Sequence, residues 1–587
     1  MYSEYEIRTI PLSMKSWRKK VENFLEINGL RLDDVDYYAG IFRLEEYDIL
    51  AAGGLKGNLI KCIAVNPDLK GSQLSNRLIS HLISIAMSEQ YKQEHNNFST
   101  IRVFTKPENK EIFTSLGFTP LATAPKAILL ENNLNELNAY LDYLRNNLRQ
   151  GTNGCIVMNC NPFTLGHKYL IETAKSKVDN LYIIPVKENL SVFTYSERKE
   201  MIRKGVEQME NVFVLEGSDY AISQTTFPTY FIKNLDDVSD TYITLDLDIF
   251  AKFIAKNLNI KYRFVGNEPF DKLTKRYNEL MQEILPKNNI QVIEIKRLEE
   301  KSQTISASKV RQHIKEKQLS EIKDLVPSST LPYILTQLAI NALQEELDTT
   351  PKPGLVDKHD SGAHKDMDYD LMNKSIKSLR EYFDKLSLLG FQSELPSIKD
   401  IQTIGLEAEK SMLMATNGVN THKGALFSMG LTLLCASNLL FNKAKIDAKD
   451  LQALIIKVAK QFPQPTGTHG DKVLKENKIK GALGCAIEGY NDLFGVWLPF
   501  FSANKDETYV LYRLLLLIMS TLDDTNIYYR KGATAIERVK REAGEMVSDF
   551  SIDKLERLNN EYINANISPG GSADMLSLTI FVYSILN

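Results

Sequence analysis

The sequence predicts a multidomain chain: an N-terminal α+β block, a central α/β block built on a doubly wound parallel sheet, and an all-α C-terminal block. Three observations carry that expectation. The 587 residues exceed what one hydrophobic core organises, so two to four domains are expected. Between about 151 and 326, apolar runs alternate with segments of helical period: GCIVMN, HKYLIETAKSK, LYIIPV, YRFVGN, IQVIEIKRL. That is the pattern of parallel strands with helices on both faces. From 331 to 587, long segments of helical period follow with few alternating β-branched runs.

Residues 1–131 mix short strand-like runs (YDILAAGGL, LIKCIAV, TIRVFT) with a helical segment, SQLSNRLISHLISIAMSEQ. A polar, helical connector is expected over 132–150, and the turn-rich VPSSTLP at 326–332 marks the boundary before the helical block. Apolar content of 43%, charged content of 25% and a net charge of −3 describe an ordinary globular chain without the basic footprint of a nucleic-acid or anionic-membrane partner. The five cysteines, Cys62, Cys155, Cys160, Cys435 and Cys485, are scattered and lack CxxC spacing, so a reduced, cytoplasmic protein without disulfides or a zinc site is expected. MYSEYEIRTI has no apolar h-region. LYRLLLLIMSTL (511–522) is too short to span a bilayer, contains Arg513, and reads as a core helix.

In an open parallel sheet, ligands bind beyond the carboxyl ends of the strands. The GCIVMN strand leads there into NCNPFTLGHKYLIETA (159–174). Pro162 helps stop the strand, Gly166 lets backbone approach a ligand, and His167 falls in the first turn of the next helix, where free N–H groups favour an anion. ISASKVRQHI (305–314) places Ser306 and Ser308 as caps, with Lys309 and Arg311 in the first turn. Basic residues there oppose the helix dipole, and a bound polyphosphate removes the conflict. The expected ATP-binding set is Asn161, Thr164, Gly166, His167, Ser306, Ser308, Lys309 and Arg311, with His167, Lys309 and Arg311 also catalytic. Cys160 reads as a packing residue, as do Phe227 and Tyr230. Glu268 and Asp219 read equally as site-lining or as surface and capping residues.

These residues resemble those of a known superfamily. Thr164-x-Gly166-His167 and ISASKVR are similar to the signatures of the HxGH nucleotidyltransferases, with Thr164 where many members have the first His. CIVMNxNPFTxGHxYLIE, TFPTYFIK (225–232), RFVGNEPF (263–270) and ISASKVR resemble, more specifically, the citrate lyase acetate:thiol ligase family, over roughly residues 1–326. The resemblance implies that ATP and acetate form acetyl-AMP and pyrophosphate, and that the prosthetic thiol of the citrate lyase acyl carrier protein takes the acetyl group. Attack on an α-phosphorus needs alignment and charge neutralisation rather than a protein nucleophile, with Mg²⁺ expected to bridge phosphates. AVNPDLKGSQLSNRLISHLI (64–83) and FTSLGFTP (113–120) resemble the N-acetyltransferase (GNAT) fold. Its pyrophosphate loop reads Lys70-Gly71-Ser72-Gln73-Leu74-Ser75 here, with side chains at two positions where backbone approach needs glycine-type residues. A docking role for the pantetheine-like arm or its carrier is expected rather than acetyl transfer.

The helical block carries four shaped, charged loops that a helical core does not require. They are TPKPGLVDKHDSGAHKDMD (350–368), GVNTHKGALFSMG (418–430), DDTNIYYRKG (523–532) and ISPGGSADML (567–576), the last with Asp574 in the first turn of a helix. Together they supply carboxylates for Mg²⁺ and Gly-rich turns with Lys and His for phosphates. The candidates for metal binding or cation stabilisation are Asp357, Asp366, Asp368, Glu409 and Asp524, with Mg²⁺ assigned to Asp366, Asp368, Glu409 and Asp524. Lys352, His364, His422, Lys423 and Arg530 are the candidates for phosphate binding or proton transfer. The catalytic set is Asp357, His364, Asp366, Asp368, His422 and Asp524. The ATP-binding set is Lys352, Asn420, Thr421, Lys423, Asn526, Arg530, Gly570 and Gly571.

PKPGLVDxxxxGAHxDMD, GxNTHKGxxFSxG, DTNxxxR and SPGGSADxL resemble the triphosphoribosyl-dephospho-CoA synthase family over about 335–587. That resemblance implies a substitution at the ribose anomeric carbon of ATP by dephospho-CoA, releasing adenine through an oxocarbenium-like transition state. One departure stands out: where the family has a motif like GARGEAESGF, this chain reads GALGCAIEGY (481–490). Leu483, Cys485 and Ile487 replace an arginine and two glutamates, leaving Glu488 as the nearby carboxylate. The two resemblances together imply a bifunctional citrate lyase maturation enzyme. The alternative is a generic coenzyme adenylyltransferase fused to a helical block that is non-catalytic or serves malonate decarboxylase.

Overall fold

The structure, a computed structural model, describes residues 4–69, 71–95, 97–188, 191–220, 231, 235–268, 271–300, 303–463 and 480–587. The expectations for Lys70, Phe227, Tyr230 and most of TFPTYFIK lie outside the described residues. The chain forms two compact units. The first comprises 1–159, 167–199 and 206–304; the second comprises 160–166, 200–205 and 305–587. Residues 305–326, expected with the central block, fall in the second unit.

The first unit holds two sheets. Seven strands, β1 (Tyr5–Thr9), β2 (Tyr37–Arg43), β3 (Ala51–Lys56), β4 (Leu59–Val65), β5 (Arg102–Thr105), β6 (Thr119–Ala124) and β7 (Ala127–Glu131), lie in the order β1-β2-β3-β4-β5-β7-β6. All neighbours are antiparallel except β4 and β5, which pair in parallel only at Leu59–Arg102 and Ile60–Val103. The expected connector is the helix Asn135–Asn146, but it is no free linker. Leu137 and Leu144 are buried in the unit's core, because its apolar residues share one helical face.

The second sheet has five parallel strands, β8 (Asn153–Met158), β9 (Asn180–Pro185), β10 (Val212–Val214), β11 (Ile260–Gly266) and β12 (Gln291–Ile295), in the order β10-β9-β8-β11-β12. The chain leaves β8 toward β9 and later returns to β11 on its other side, which makes the carboxyl ends of β8 and β11 the topological switch point. β8 and β9 are nearly all buried residues, as a sheet covered on both faces requires. Fully buried Arg198 fixes the loops there, donating from Nη1 to the Asn159 carbonyl (2.7 Å) and the Val186 carbonyl (3.0 Å).

The second unit is helical from Leu331–Asp348 to Gly570–Leu586 among the described residues. The helix Lys423–Lys443 is long and apolar enough to cross a membrane, but 83% of that stretch is buried inside the structure. It is a core helix. Tyr369–Gly390 packs on it closely at Gly390, where a β-carbon would stand 2.4 Å from the Leu434 carbonyl oxygen. The run 511–522 forms most of Val510–Thr521, also a core helix.

Candidate functional site

In the helical unit the four charged loops converge. One cavity of about 470 Å³ is lined from 350–368 by Lys352 and His364 and from 418–430 by Asn420, Thr421, His422 and Lys423. Asp524, Asn526 and Arg530 line it from 523–532, and Gly570, Gly571 and Asp574 from 567–576. The volume is that of a small-molecule site.

Lys352 is 1% exposed and forms an ion pair with Glu346, itself 4% exposed; its Nζ also donates to the Glu346 carbonyl at 2.9 Å. Burial raises the Glu346 pKa, against the attraction of Lys352. Gly354 has φ of 71°, and a β-carbon there would lie 2.1 Å from the Ile567 carbonyl oxygen, so the first and last loops meet backbone to backbone. Arg530 Nη2 donates to His364 Nδ1 at 3.1 Å. A guanidinium can only donate, so the imidazole proton is on Nε2, which faces Ser568 Oγ at 2.8 Å. Burial and then Arg530 lower the His364 pKa.

His422 precedes the helix Lys423–Lys443. Its Nδ1 lies 2.7 Å from Ser375 Oγ, which also accepts from Thr421 Oγ1 at 2.7 Å. Its Nε2 is buried without a hydrogen-bond partner among the described residues. Burial, reinforced by Lys352, brings the pKa down to about 4, so the ring is neutral at pH 7.

Asp524 is 1% exposed and works as a double cap. Oδ1 accepts from Asn526 N (2.9 Å), and Oδ2 accepts from Ser572 N (2.8 Å) and Ser572 Oγ (3.0 Å). It therefore starts Thr525–Lys531 and pins the opening turn of Gly570–Leu586. β-Carbons on Gly570 and Gly571 would come within 3.0 Å of Asn526 Nδ2 and Asp524 Oδ1 respectively, which explains the glycine pair.

Asp574 is the residue whose importance the sequence did not disclose. Its carboxylate sits over the start of the helix Lys423–Lys443: a β-carbon on Gly424 would lie 2.0 Å from Oδ2, and the Ala425 amide donates to the carboxylate. Burial first, then the charges of Asp524 and Glu346, raise its pKa well above the ordinary value. The sequence signals were its place in SPGGSADxL and its position in the first turn of an apolar helix behind a Gly-Gly step.

Several expected roles are corrected. Asp357 does not line the cavity. Its oxygens accept from the backbone N–H groups of Lys352 (2.9 Å), His359 (2.7 Å) and Asp360 (3.2 Å), shaping its own loop. The Asp366 side chain is 64% exposed, and Asp368 caps the helix Tyr369–Gly390 by accepting from Leu371 N at 2.8 Å. Both border a separate open depression. Glu409 is held by Lys423 Nζ at 2.6 Å. With Asp524 committed to caps, the four carboxylates assigned to Mg²⁺ do not converge, and among the described residues no group of three His, Cys, Asp or Glu could hold a metal ion. Glu488 is exposed and pairs with Lys480 at 2.6 Å, while Gly481, Ala482 and Cys485 reach the cavity wall.

The nucleotide motifs of the central block divide between the two units. In the second unit, buried Thr164 precedes the helix Leu165–Lys175 and half-buried Gly166 is its second residue; a β-carbon on Gly166 would stand 3.0 Å from the Ile305 carbonyl oxygen. Ser306 caps Ala307–Lys315 by accepting from Lys309 N at 3.2 Å, whereas Ser308 lies inside the helix and Arg311 beyond its first turn. Arg311 Nη1 donates to the Asn161 carbonyl at 2.5 Å, joining the two motifs; burial lowers its pKa. In the first unit, His167 is the third residue of Leu165–Lys175. Burial and then Arg297 bring its pKa down to about 4, so it offers a neutral imidazole. Arg297 also pairs with Glu268, and Asp219 with Lys187 at 3.0 Å. Cys160 is buried with φ of 50°.

Comparison with known proteins covers both parts of the chain. Residues 153–334 match the family model described as citrate lyase ligase C-terminal domain, and 333–587 match ATP:dephospho-CoA triphosphoribosyl transferase. A citrate (pro-3S)-lyase ligase of Haemophilus influenzae is 38% identical over 54% of this chain and 94% of its own length. One from Klebsiella pneumoniae is 36% identical over 56% of this chain and 95% of its own. A protein of Vibrio cholerae named probable 2-(5''-triphosphoribosyl)-3'-dephosphocoenzyme-A synthase is 31% identical over 44% of this chain and 90% of its own. The chain therefore belongs to the citrate lyase ligase family in its first part and to the triphosphoribosyl-dephospho-CoA synthase family in its helical part.

Proposed function

We propose that the protein matures citrate lyase through two ATP-consuming reactions. The observation that carries the helical half is the convergence of four loops, distant in sequence, on one cavity containing Asp574 between Asp524, Glu346 and Lys352. There the 2′-hydroxyl of dephospho-CoA attacks the ribose anomeric carbon of ATP, and the bond to adenine breaks with its electron pair leaving on the base. Adenine is a poor leaving group unless protonated. Asp574, whose proton is retained by burial and neighbouring charge, donates it. His422 Nε2, neutral and without a partner, takes the proton of the attacking hydroxyl. Lys423 and Arg530 face the triphosphate, Lys352 holds Glu346 in place, and Asp524 and the Gly570–Gly571 turn hold the loops. Any Mg²⁺ comes with the triphosphate, and no step is assigned to it.

In the ligase half, the residues proposed to bind ATP are those of the motif Thr164-x-Gly166-His167 and of the helix Ala307–Lys315 capped by Ser306, with Ser308, Lys309 and Arg311. Acetate oxygen attacks the α-phosphorus, pyrophosphate leaves, and acetyl-AMP then acylates the carrier's thiol with loss of AMP. His167 serves as a neutral hydrogen-bond donor, and the positive charge comes from Lys309 and Arg311. The seven-stranded sheet is GNAT-like in this reading. Its parallel β4–β5 pair separates after two residue pairs, and a docking role for the carrier's arm suits it. The test is direct. ATP with dephospho-CoA should yield free adenine, and ATP with acetate and deacetylated carrier should yield AMP and pyrophosphate. Pyrophosphate formed without acetate would overturn the ligase reading, and absence of adenine would overturn the synthase reading.

A further inference from the structure

Ser568 begins the Ser-Pro-Gly-Gly turn that leads into the helix Gly570–Leu586. It is 1% exposed, yet it lines the cavity of the helical unit. Its hydroxyl has one hydrogen-bond partner among the described residues, His364 Nε2 at 2.8 Å. The direction of that bond is set from the other side of the ring. Arg530 Nη2 donates to His364 Nδ1 at 3.1 Å, and a guanidinium has only donors. The Asp366 carboxylate, which would favour a proton on Nδ1, stands 3.8 Å away, outside hydrogen-bond reach. The ring proton is therefore on Nε2 and goes to a lone pair of Ser568 Oγ.

The Ser568 proton must then point elsewhere. It has no acceptor among the described residues, and Ser568 opens onto the cavity. A buried hydroxyl proton without an acceptor is costly, so its partner is something the cavity takes in. Arg530 is itself anchored, with Nη1 donating to the Ala363 carbonyl (3.1 Å) and to Asn566 Oδ1 (3.0 Å). The donors thus run in series from a fixed cation through an imidazole to a hydroxyl, each bond polarising the next. The end of such a series is a strengthened donor beside a positive charge, and it suits an oxyanion. Lys423 lines the same cavity and adds a second cation. Of the groups of ATP, the phosphates alone carry oxyanions.

We infer that Ser568 contacts the triphosphate in the helical site, donating its hydroxyl proton to a phosphate oxygen, and that His364, its tautomer fixed by Arg530, positions that hydroxyl. The inference rests on the synthase reading. It gives His364 no proton transfer, because Arg530 occupies Nδ1 and Ser568 holds the Nε2 proton.

The test uses the full chain. Inorganic tripolyphosphate, which has the anion without ribose or base, is titrated into it by calorimetry, and adenine release is followed as ATP is varied. Ser568→Ala should weaken tripolyphosphate binding about tenfold or more and raise the KM for ATP by a similar factor, the scale of one hydrogen bond to a charged group. Its kcat and its KM for dephospho-CoA should stay within about threefold, as for an interaction made equally in the ground and transition states. Ser568→Thr should recover most of the loss. His364→Leu should share the Ser568→Ala phenotype, and the two together should lose no more than about twofold beyond either alone. Glutamine offers an acceptor to Arg530 and a donor to Ser568, so His364→Gln should rescue what His364→Leu loses. If His364→Leu fails to fold, the two serine variants and His364→Gln decide. Tripolyphosphate affinity and ATP KM left unchanged by Ser568→Ala would overturn the contact. So would a fall in kcat of about 100-fold or more in His364→Gln, the mark of an acid–base residue. In either case adenine release by the parent leaves the synthase reading standing. Serine-dependent tripolyphosphate binding in a parent that releases no adenine would overturn the synthase reading and leave the contact.

Discussion

Replacing Asp574 by asparagine separates chemistry from packing more cleanly than any other change in the helical unit. The side chain keeps its shape, and Asn Oδ1 can still accept from the Ala425 amide, but it has no proton to give. General acid catalysis of this kind contributes about 10²–10⁴-fold, or roughly 3–5 kcal/mol of barrier. Adenine release should fall by that factor. Stability should move the other way. Asp574 has a folded-state pKa above its unfolded value, because burial, Asp524 and Glu346 disfavour its charge. The folded protein therefore binds more protons than the unfolded one above the unfolded pKa, and the stability the group supports at low pH is lost as pH rises through the folded pKa. Asparagine removes that loss, so the variant should melt higher than the parent at pH 7 and no higher near pH 4. Gly424→Ala is the companion: its β-carbon would lie 2.0 Å from Oδ2, pushing the carboxylate aside and slowing adenine release with Asp574 itself unchanged. The assay is chromatographic detection of adenine from ATP and dephospho-CoA, paired with thermal melts at both pH values. Asp574→Asn with activity within about threefold of the parent would refute the proton-donor role.

Further outcomes follow from the same geometry. His422 titrates at about 4 in place of 6.5, so its contribution is complete above 6.5 and is lost as pH falls toward 4. His422→Gln should remove up to about 3 kcal/mol of the acid-side decline, read by denaturant melts between pH 7 and 4.5, and should abolish adenine release. Lys352→Met leaves Glu346 buried without its cation and should cost about 3–5 kcal/mol by the same melts. Glu346→Gln combined with Lys352→Met should recover part of it. Arg311→Ala removes the bond to the Asn161 carbonyl and, on the proposed function, a charge for the phosphates of ATP. It should lower acetate-dependent pyrophosphate exchange about 100-fold and leave adenine release unchanged. Because His167 is already neutral, the KM for ATP in that exchange should stay flat between pH 5.5 and 8.

The elements legible in the sequence were those where one local pattern has one physical solution. GCIVMN is a fully apolar run ended by Asn-Pro, and it forms β8 at Asn153–Met158. The four C-terminal loops were visible because glycine, proline and charge in a helical block need a reason, and they share one cavity. What spacing does not disclose is which way a carboxylate turns. Asp357 and Asp368 are spent on backbone N–H groups of their own loops, Asp366 faces outward, and Asp574, one carboxylate among many in the sequence, lines the cavity with Glu346, Asp523 and Asp524. The carboxylates assigned to Mg²⁺ form no group of three among the described residues for that reason. The helix Asn135–Asn146 was expected as a bare connector because its polar residues outnumber the apolar ones, yet Leu137 and Leu144 suffice to bury one face.

The central claim is that two separate ATP sites run two different bond cleavages. One preparation of the parent, Asp574→Asn and Arg311→Ala, assayed side by side for adenine and for acetate-dependent pyrophosphate, tests it most directly. The expected result is both products from the parent, loss of adenine alone in Asp574→Asn, and loss of pyrophosphate alone in Arg311→Ala. Loss of both products in either variant, or a parent that makes only one, would contradict it.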